Sequence, residues 1–184
     1  MPVAEWSPVA RRIRVPLGFA FAVLYVWLAR PTWRFLGLGS VLILLGLIIR
    51  ALASGHVQKN EALATTGPYA YTRNPLYLGS LLIGLGFALA ARSWWVGGVL
   101  VVMFLAIYLP VIRGEEQFLR EKFPDFEDYA RQVPRMLPRF TAAKSGDESG
   151  GFSSELYLKH REWNALLGSG LLVVALILKI NFLP

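Results

Sequence analysis

Apolar residues along this chain gather into five long runs: Val15–Ala29, Phe35–Ala53, Leu76–Ala91, Trp94–Ile112 and Asn164–Phe182. A helix that crosses a bilayer needs about 20 predominantly apolar residues, with about 17 as the low end. The second, fourth and fifth runs reach that length. The third is short, and the first spans only with Ile13 or Arg30 at the interface. Lipid offers the backbone no hydrogen-bond partner, so runs of this kind become helices. The pattern predicts an all-α integral membrane bundle of about five transmembrane helices with a polar region on one face.

The polar punctuation sorts the rest. Arg92-Ser93 is a tight turn, which makes the third and fourth spans an antiparallel hairpin, and Pro110 predicts a bend near the end of the fourth. Gly114–Phe123 then reads as a helical segment, Phe123-Pro124-Asp125 breaks it, and Asp125–Gln132 restarts with Phe126 and Tyr129 at i, i+3. Thr141–Gly151 has the Gly/Ser/Lys/Asp composition of a flexible linker. Phe152–Trp163 suits an interfacial amphipathic helix leading into the last span. The expected organisation is a membrane core at 1–140, a linker and interfacial helix at 141–163, and a fifth span at 164–184. Gly168-Ser169-Gly170 in that span is a candidate homodimer contact.

Composition narrows the class. The 184 residues are 55% hydrophobic and only 17% charged, too little polar surface for a soluble domain of this length. With the N-terminus inside, the outer segments hold only Arg30, Arg34, Arg92 and Lys179 of the 19 Lys and Arg, in keeping with the positive-inside rule. Both complex polar stretches, 54–75 and 113–160, then face the cytoplasm, the expected setting being a prokaryotic inner membrane. Arg11, Arg12 and Arg14 precede the first run, but no small-x-small cleavage site follows, so it reads as an anchor. The net charge of +7 serves orientation and attraction to anionic lipid rather than nucleic acid. With no Cys and only His56 and His160, thiolate chemistry drops out and a histidine-built metal site is not expected.

Candidate chemistry concentrates in Gly67-Pro68-Tyr69-Ala70-Tyr71-Thr72-Arg73-Asn74-Pro75-Leu76-Tyr77-Leu78-Gly79. Pro68 and Pro75 each lock φ and push the preceding residue into an extended conformation, so the loop is built to hold one shape. Arg73 is either an interface arginine that follows the charge rule or a rigid guanidinium for a carboxylate or phosphate. Glu115 and Glu116 lie where the fourth helix leaves the bilayer, with Arg113 at i, i+3 from Glu116. Ionisable residues at that depth pair or face a cavity. The pair is either a solvated helix end or a carboxylate site suited to ribose hydroxyls or an ammonium group.

His56, the Gly67–Gly79 loop, Glu115-Glu116, Phe123-Pro124, Phe126, Tyr129, Val133-Pro134-Arg135 and Pro138 together resemble the isoprenylcysteine carboxyl methyltransferase family, and also the related phospholipid N-methyltransferases. The resemblance covers roughly residues 40–140 and implies a small helical membrane enzyme that uses S-adenosyl-L-methionine at the cytoplasmic face. It implies a cofactor pocket from His56, Gly67, Tyr69, Arg73, Asn74, Pro75, Tyr77, Leu78, Gly86, Glu115 and Glu116. Arg135, Asp128 and Glu116 are the catalytic set it suggests. Asn74 stands where the family usually has His, and a span after the catalytic motif is unusual for it. The expected acceptor is lipophilic, an isoprenylcysteine-type carboxylate or similar, with a phospholipid amine or a small thiol as alternatives. A sterol-type membrane reductase and a non-catalytic scaffold are the competing classes.

Overall fold

A computed structural model describes residues 18, 20, 22–57, 62–143 and 151–182. Among them the chain is all-helical. The elements are α1 (helical at 22–28), α2 (Trp33–His56), a single 3-10 turn (Gly67–Ala70), α3 (Pro75–Ala91), α4 (Trp94–Lys122), α5 (Phe126–Gln132), α6 (Ser154–Lys159) and α7 (Trp163–Phe182). Helices α2, α4 and α7 are long and apolar enough to cross a membrane, and α3 is a shorter apolar helix of 17 residues. The molecule is a multi-span helical membrane bundle. Residues 15–17, 19 and 21 of the first predicted span, and 144–150 of the predicted linker, lie outside the described residues.

Helices α2 and α3 cross at almost backbone-to-backbone distance because glycines face each other twice. A Cβ on Gly46 would lie 2.5 Å from the Gly79 carbonyl oxygen, and one on Gly86 would lie 2.5 Å from that of Gly39. Such contacts suit helices in lipid, where close dispersion packing rather than exclusion of water holds them together. The core joins Tyr25 of α1, Leu36 and Ile43 of α2, Phe87 of α3, Val96 of α4 and Leu176 of α7. Within it the Tyr25 hydroxyl donates to the Phe87 carbonyl at 3.0 Å.

The fourth span and the helical segment after it form one continuous helix of 29 residues. Pro110 lacks an N–H and its ring crowds the preceding turn. The helix answers with one widened i→i+5 turn at Phe104–Tyr108 and continues to Lys122. This continuity carries Glu115 and Glu116 rigidly on the membrane helix itself. The amphipathic helix expected over Phe152–Trp163 forms only over Ser154–Lys159, capped by the Ser153 hydroxyl, which accepts from Leu156 N.

The C-terminal segment is fastened to the bundle at both ends. Lys179 Nζ donates to the carbonyls of Val26 and Trp27 at 2.7 and 2.9 Å, where its charge meets the negative end of α1. At the other end, Ser153 N donates to Gly55 O at 2.9 Å and the His160 ring lies 3.0 Å from Ser54 O.

Candidate functional site

Two irregular segments build the site by lying on each other. The 66–75 loop comes before α3 and the 134–143 strap follows α5. Arg73 N donates to Pro134 O, Arg139 N to Tyr71 O and Ala143 N to Ala70 O, all between 2.9 and 3.0 Å. The Thr72 hydroxyl reaches the Arg135 and Met136 carbonyls at 3.2 Å. Beyond the 3-10 turn at Gly67–Ala70 neither segment has regular structure of its own, so each satisfies part of the other's backbone. The Tyr129 hydroxyl adds a 2.8 Å bond to the Tyr69 carbonyl. Burial pushes the Tyr69 and Tyr129 phenols well above the ordinary tyrosine value, so both stay protonated donors.

Glu116 is the hub beneath this loop and is only 3% exposed. One oxygen accepts from Arg135 Nε at 2.9 Å and pairs with its Nη2 at 2.7 Å. The other accepts from Asn74 Nδ2 at 3.1 Å and faces Arg73 Nε at 3.6 Å. Asn74 occupies the cap position of α3, yet its side chain does not cap that helix. Its amide goes to Glu116 and to the Arg135 carbonyl instead. Arg113, the expected partner of Glu116, is exposed. The cations that neutralise the buried carboxylate come from the loop and the strap, not from its own helix.

Arg73 differs from its neighbours. Its Nε is buried with no hydrogen-bond partner, since 3.6 Å to Glu116 is an ion-pair distance and too long for a hydrogen bond. Arg73 lines a cavity of about 570 Å³ together with Tyr69, Asn74, Pro75, Tyr77, Glu115 and Glu116. Leu63, Phe118, Leu119 and Phe126 supply an apolar side. Glu116 is committed to its internal partners, so Arg73 and Glu115 are the charged groups offered to a guest.

The structure brings these sequence-predicted residues together and leaves others apart. Arg135 sits behind Glu116 and outside the cavity lining, where it positions the carboxylate. Asp128 lies on the exposed face of α5 and pairs with Arg131 at 3.3 Å, because the helix turns it to solvent while Phe126 and Tyr129 point inward. His56 and Gly67 pack against each other and neither lines the cavity. Gly67 has φ +57°, and a Cβ there would meet the His56 ring at 2.5 Å, so only glycine fits. Leu78 does not line the cavity. Gly86 belongs to the α2–α3 crossing, its missing side chain explained by the Gly39 backbone.

A second ion pair escaped the sequence reading. Arg50 of α2 binds Glu162 through Nε and Nη2 at 3.0 and 2.6 Å, and its Nη1 donates to Ser80 Oγ and Leu76 O at 2.5 and 3.3 Å. The available signal was a lone arginine near the end of an apolar run, where a charge needs a partner.

A family model described as phospholipid methyltransferase matches residues 14–125. The chain is 43% identical over 84 residues to the cobalt-zinc-cadmium resistance protein CzcN of Cupriavidus metallidurans, covering 46% of this chain and 39% of that protein. It is 36% identical over 88 residues to the nickel-cobalt-cadmium resistance protein NccN of Alcaligenes xylosoxydans xylosoxydans, covering 48% and 41%. The chain thus matches about two-fifths of the length of these curated relatives. No solved structure matches it.

Proposed function

The chain belongs to the phospholipid methyltransferase family, and from that premise we propose that it is a membrane methyltransferase that binds S-adenosyl-L-methionine in the 570 Å³ cavity and methylates a lipophilic acceptor. The observation that carries this reading is Arg73, whose buried Nε has no hydrogen-bond partner and which lines, with Glu115, the same cavity. A zwitterionic amino acid with an attached nucleoside suits that donor set. Arg73 would take the carboxylate, Glu115 the ammonium or ribose hydroxyls, and the Leu63, Phe118, Leu119 and Phe126 side an adenine ring.

When bound, S-adenosyl-L-methionine supplies an electrophilic methyl on a positively charged sulfur, which an acceptor heteroatom takes with its own lone pair as the sulfur–carbon bond breaks. The chain's contribution is orientation and exclusion of water. Glu116 holds Arg73, Asn74 and Arg135 in register, and the stiff Pro68–Pro75 loop fixes the cavity wall, so a guest is aligned by groups that do not move. With an anionic acceptor, charge is lost on the way to products, and a water-poor pocket favours that. An amine acceptor would have to enter neutral, with its lone pair free for the methyl group.

The excess of Lys and Arg on segments 54–75 and 113–160 supports a cytoplasmic position for this face. The metal-resistance names of the two relatives, carried to this chain, would mean that methylation of a membrane lipophile serves that role.

Calorimetric titration of S-adenosyl-L-methionine into the detergent-solubilised protein tests the reading. Saturable heat with a micromolar-range midpoint is expected, and a folded protein giving no heat defeats it. Tritiated methyl incorporation into membrane extracts then identifies the acceptor class.

A further inference from the structure

The bundle's glycines are of two kinds. Gly39, Gly46, Gly79 and Gly86 lack side chains because a neighbouring backbone fills the space. Gly18, Gly37, Gly97, Gly98, Gly168 and Gly170 have no such neighbour: a Cβ on any of them would meet no atom within 4 Å. Glycine inside a helix costs roughly 0.5–1 kcal/mol relative to alanine, and here the protein's own packing gives no return. Of these, Gly18, Gly97, Gly98 and Gly168 line one cleft of about 850 Å³ between α1, α3, α4 and α7, whereas Gly37 and Gly170 lie outside it. A volume of that size is in the range of small-molecule sites.

The cleft is oriented as well as roomy. Trp94, Val101 and Leu105 line it and are themselves largely exposed, so it opens sideways toward the hydrocarbon of the membrane. Its polar groups include Arg50, Ser80 and Tyr108, which lie beside the start of α3. There it shares a wall with the smaller cavity. Tyr108 lines the cleft and Tyr77 lines the donor cavity, and the two rings meet edge to face at 5.9 Å. Leu76 O, which accepts from Arg50 and Ser80, belongs to the same partition.

We propose that this cleft binds the apolar chain of the methyl acceptor, with its reactive end at the Tyr77–Tyr108 partition, and that α7 sets which chain fits. Gly168 and Ser169 supply the α7 wall. That helix lies beyond the residues 14–125 that match the family model, so selection of the chain is a property of this protein's own C-terminal span. The inference rests on the methyltransferase reading, but it has its own readout.

The probe is a diazirine-labelled stearate, photo-crosslinked to the full-length protein in detergent, with labelled residues mapped by mass spectrometry. Labels are expected in the cleft, on residues such as Phe104 and Leu172. Gly168→Leu and Gly98→Leu should cut that labelling about tenfold, the discrimination an apolar pocket achieves by shape, with Gly168→Ala falling between. The Gly168→Ala variant keeps the test open should either leucine variant misfold. Cleft labelling unchanged by the substitutions overturns the proposal. So does labelling spread evenly over exposed faces such as Val41 and Leu44, which marks bulk lipid. Titration of S-adenosyl-L-methionine into the same variants separates the two ideas. Lost labelling with unchanged donor binding supports the cleft. Absent donor binding in the parent protein with selective labelling intact removes the transfer reaction but leaves the site.

Discussion

Two cation–carboxylate clusters, one partly buried and one around the buried Glu116, differ in one respect. Arg50 spends its guanidinium on Glu162, Ser80 and Leu76 O. The Glu116 cluster has two arginines for one carboxylate, and one guanidinium nitrogen remains unbonded. The first cluster ties α7 and its preceding turn to α2 and α3, and needs nothing further. The second has a surplus positive charge aimed at a cavity, which is what an anionic guest requires. A buried ion pair is weak evidence for function, whereas an unequal one beside a cavity is much stronger evidence.

Substitutions break or sharpen this contrast. The largest effect belongs to Glu116→Ala, which leaves Arg73 and Arg135 facing each other without their shared anion. We expect a loss of about 3 kcal/mol in stability, the low end for an uncompensated buried pair because Arg135 is partly exposed. Thermal unfolding in detergent reads it, and donor binding should vanish with it. Arg73→Ala should leave stability nearly unchanged and weaken donor binding by about 10- to 100-fold, the worth of a charge-assisted hydrogen bond; equal affinities by calorimetry would place the anion elsewhere. Glu162→Ala should do the reverse, lowering the unfolding temperature by the equivalent of about 1–2 kcal/mol while donor affinity holds. If Glu162→Ala abolished donor binding, the division between the clusters would collapse. The smallest effect is expected from Asp128→Asn, within about 0.5 kcal/mol and without change in methyl transfer, since its partner Arg131 is equally exposed.

The Gly67–Gly79 loop and the Glu115-Glu116 pair were legible in the sequence as the two halves of one candidate site, because two prolines, three tyrosines and an arginine crowd one short segment and carboxylates at membrane depth need a partner. The roles within the pair were not. Adjacent residues on a helix point about 100° apart, and only the packed structure shows which carboxylate turns to the strap and which to the cavity. Asp128 and Arg135 looked alike as candidates near the end of the polar region. The orientation of α5 sends one to solvent, and the strap brings the other behind Glu116. Gly86 looked like a ligand-approach glycine, and the α2–α3 crossing accounts for it instead. Arg50 was counted for its charge alone, since its partner Glu162 stands 112 residues away.

By itself the sequence determined what lipid imposes through composition and length: helical spans, an aromatic and charged loop at their edge, and carboxylates leaving the bilayer on a helix. These depend on local hydrophobicity and backbone stereochemistry, which each segment carries wherever it is placed. The tertiary structure decided which charges share a partner, which guanidinium stays unsatisfied, which glycines face backbone and which face space, and that two tyrosines stand between two cavities. Those are relations between residues far apart in the chain. They arise only when the helices choose their neighbours and rotations.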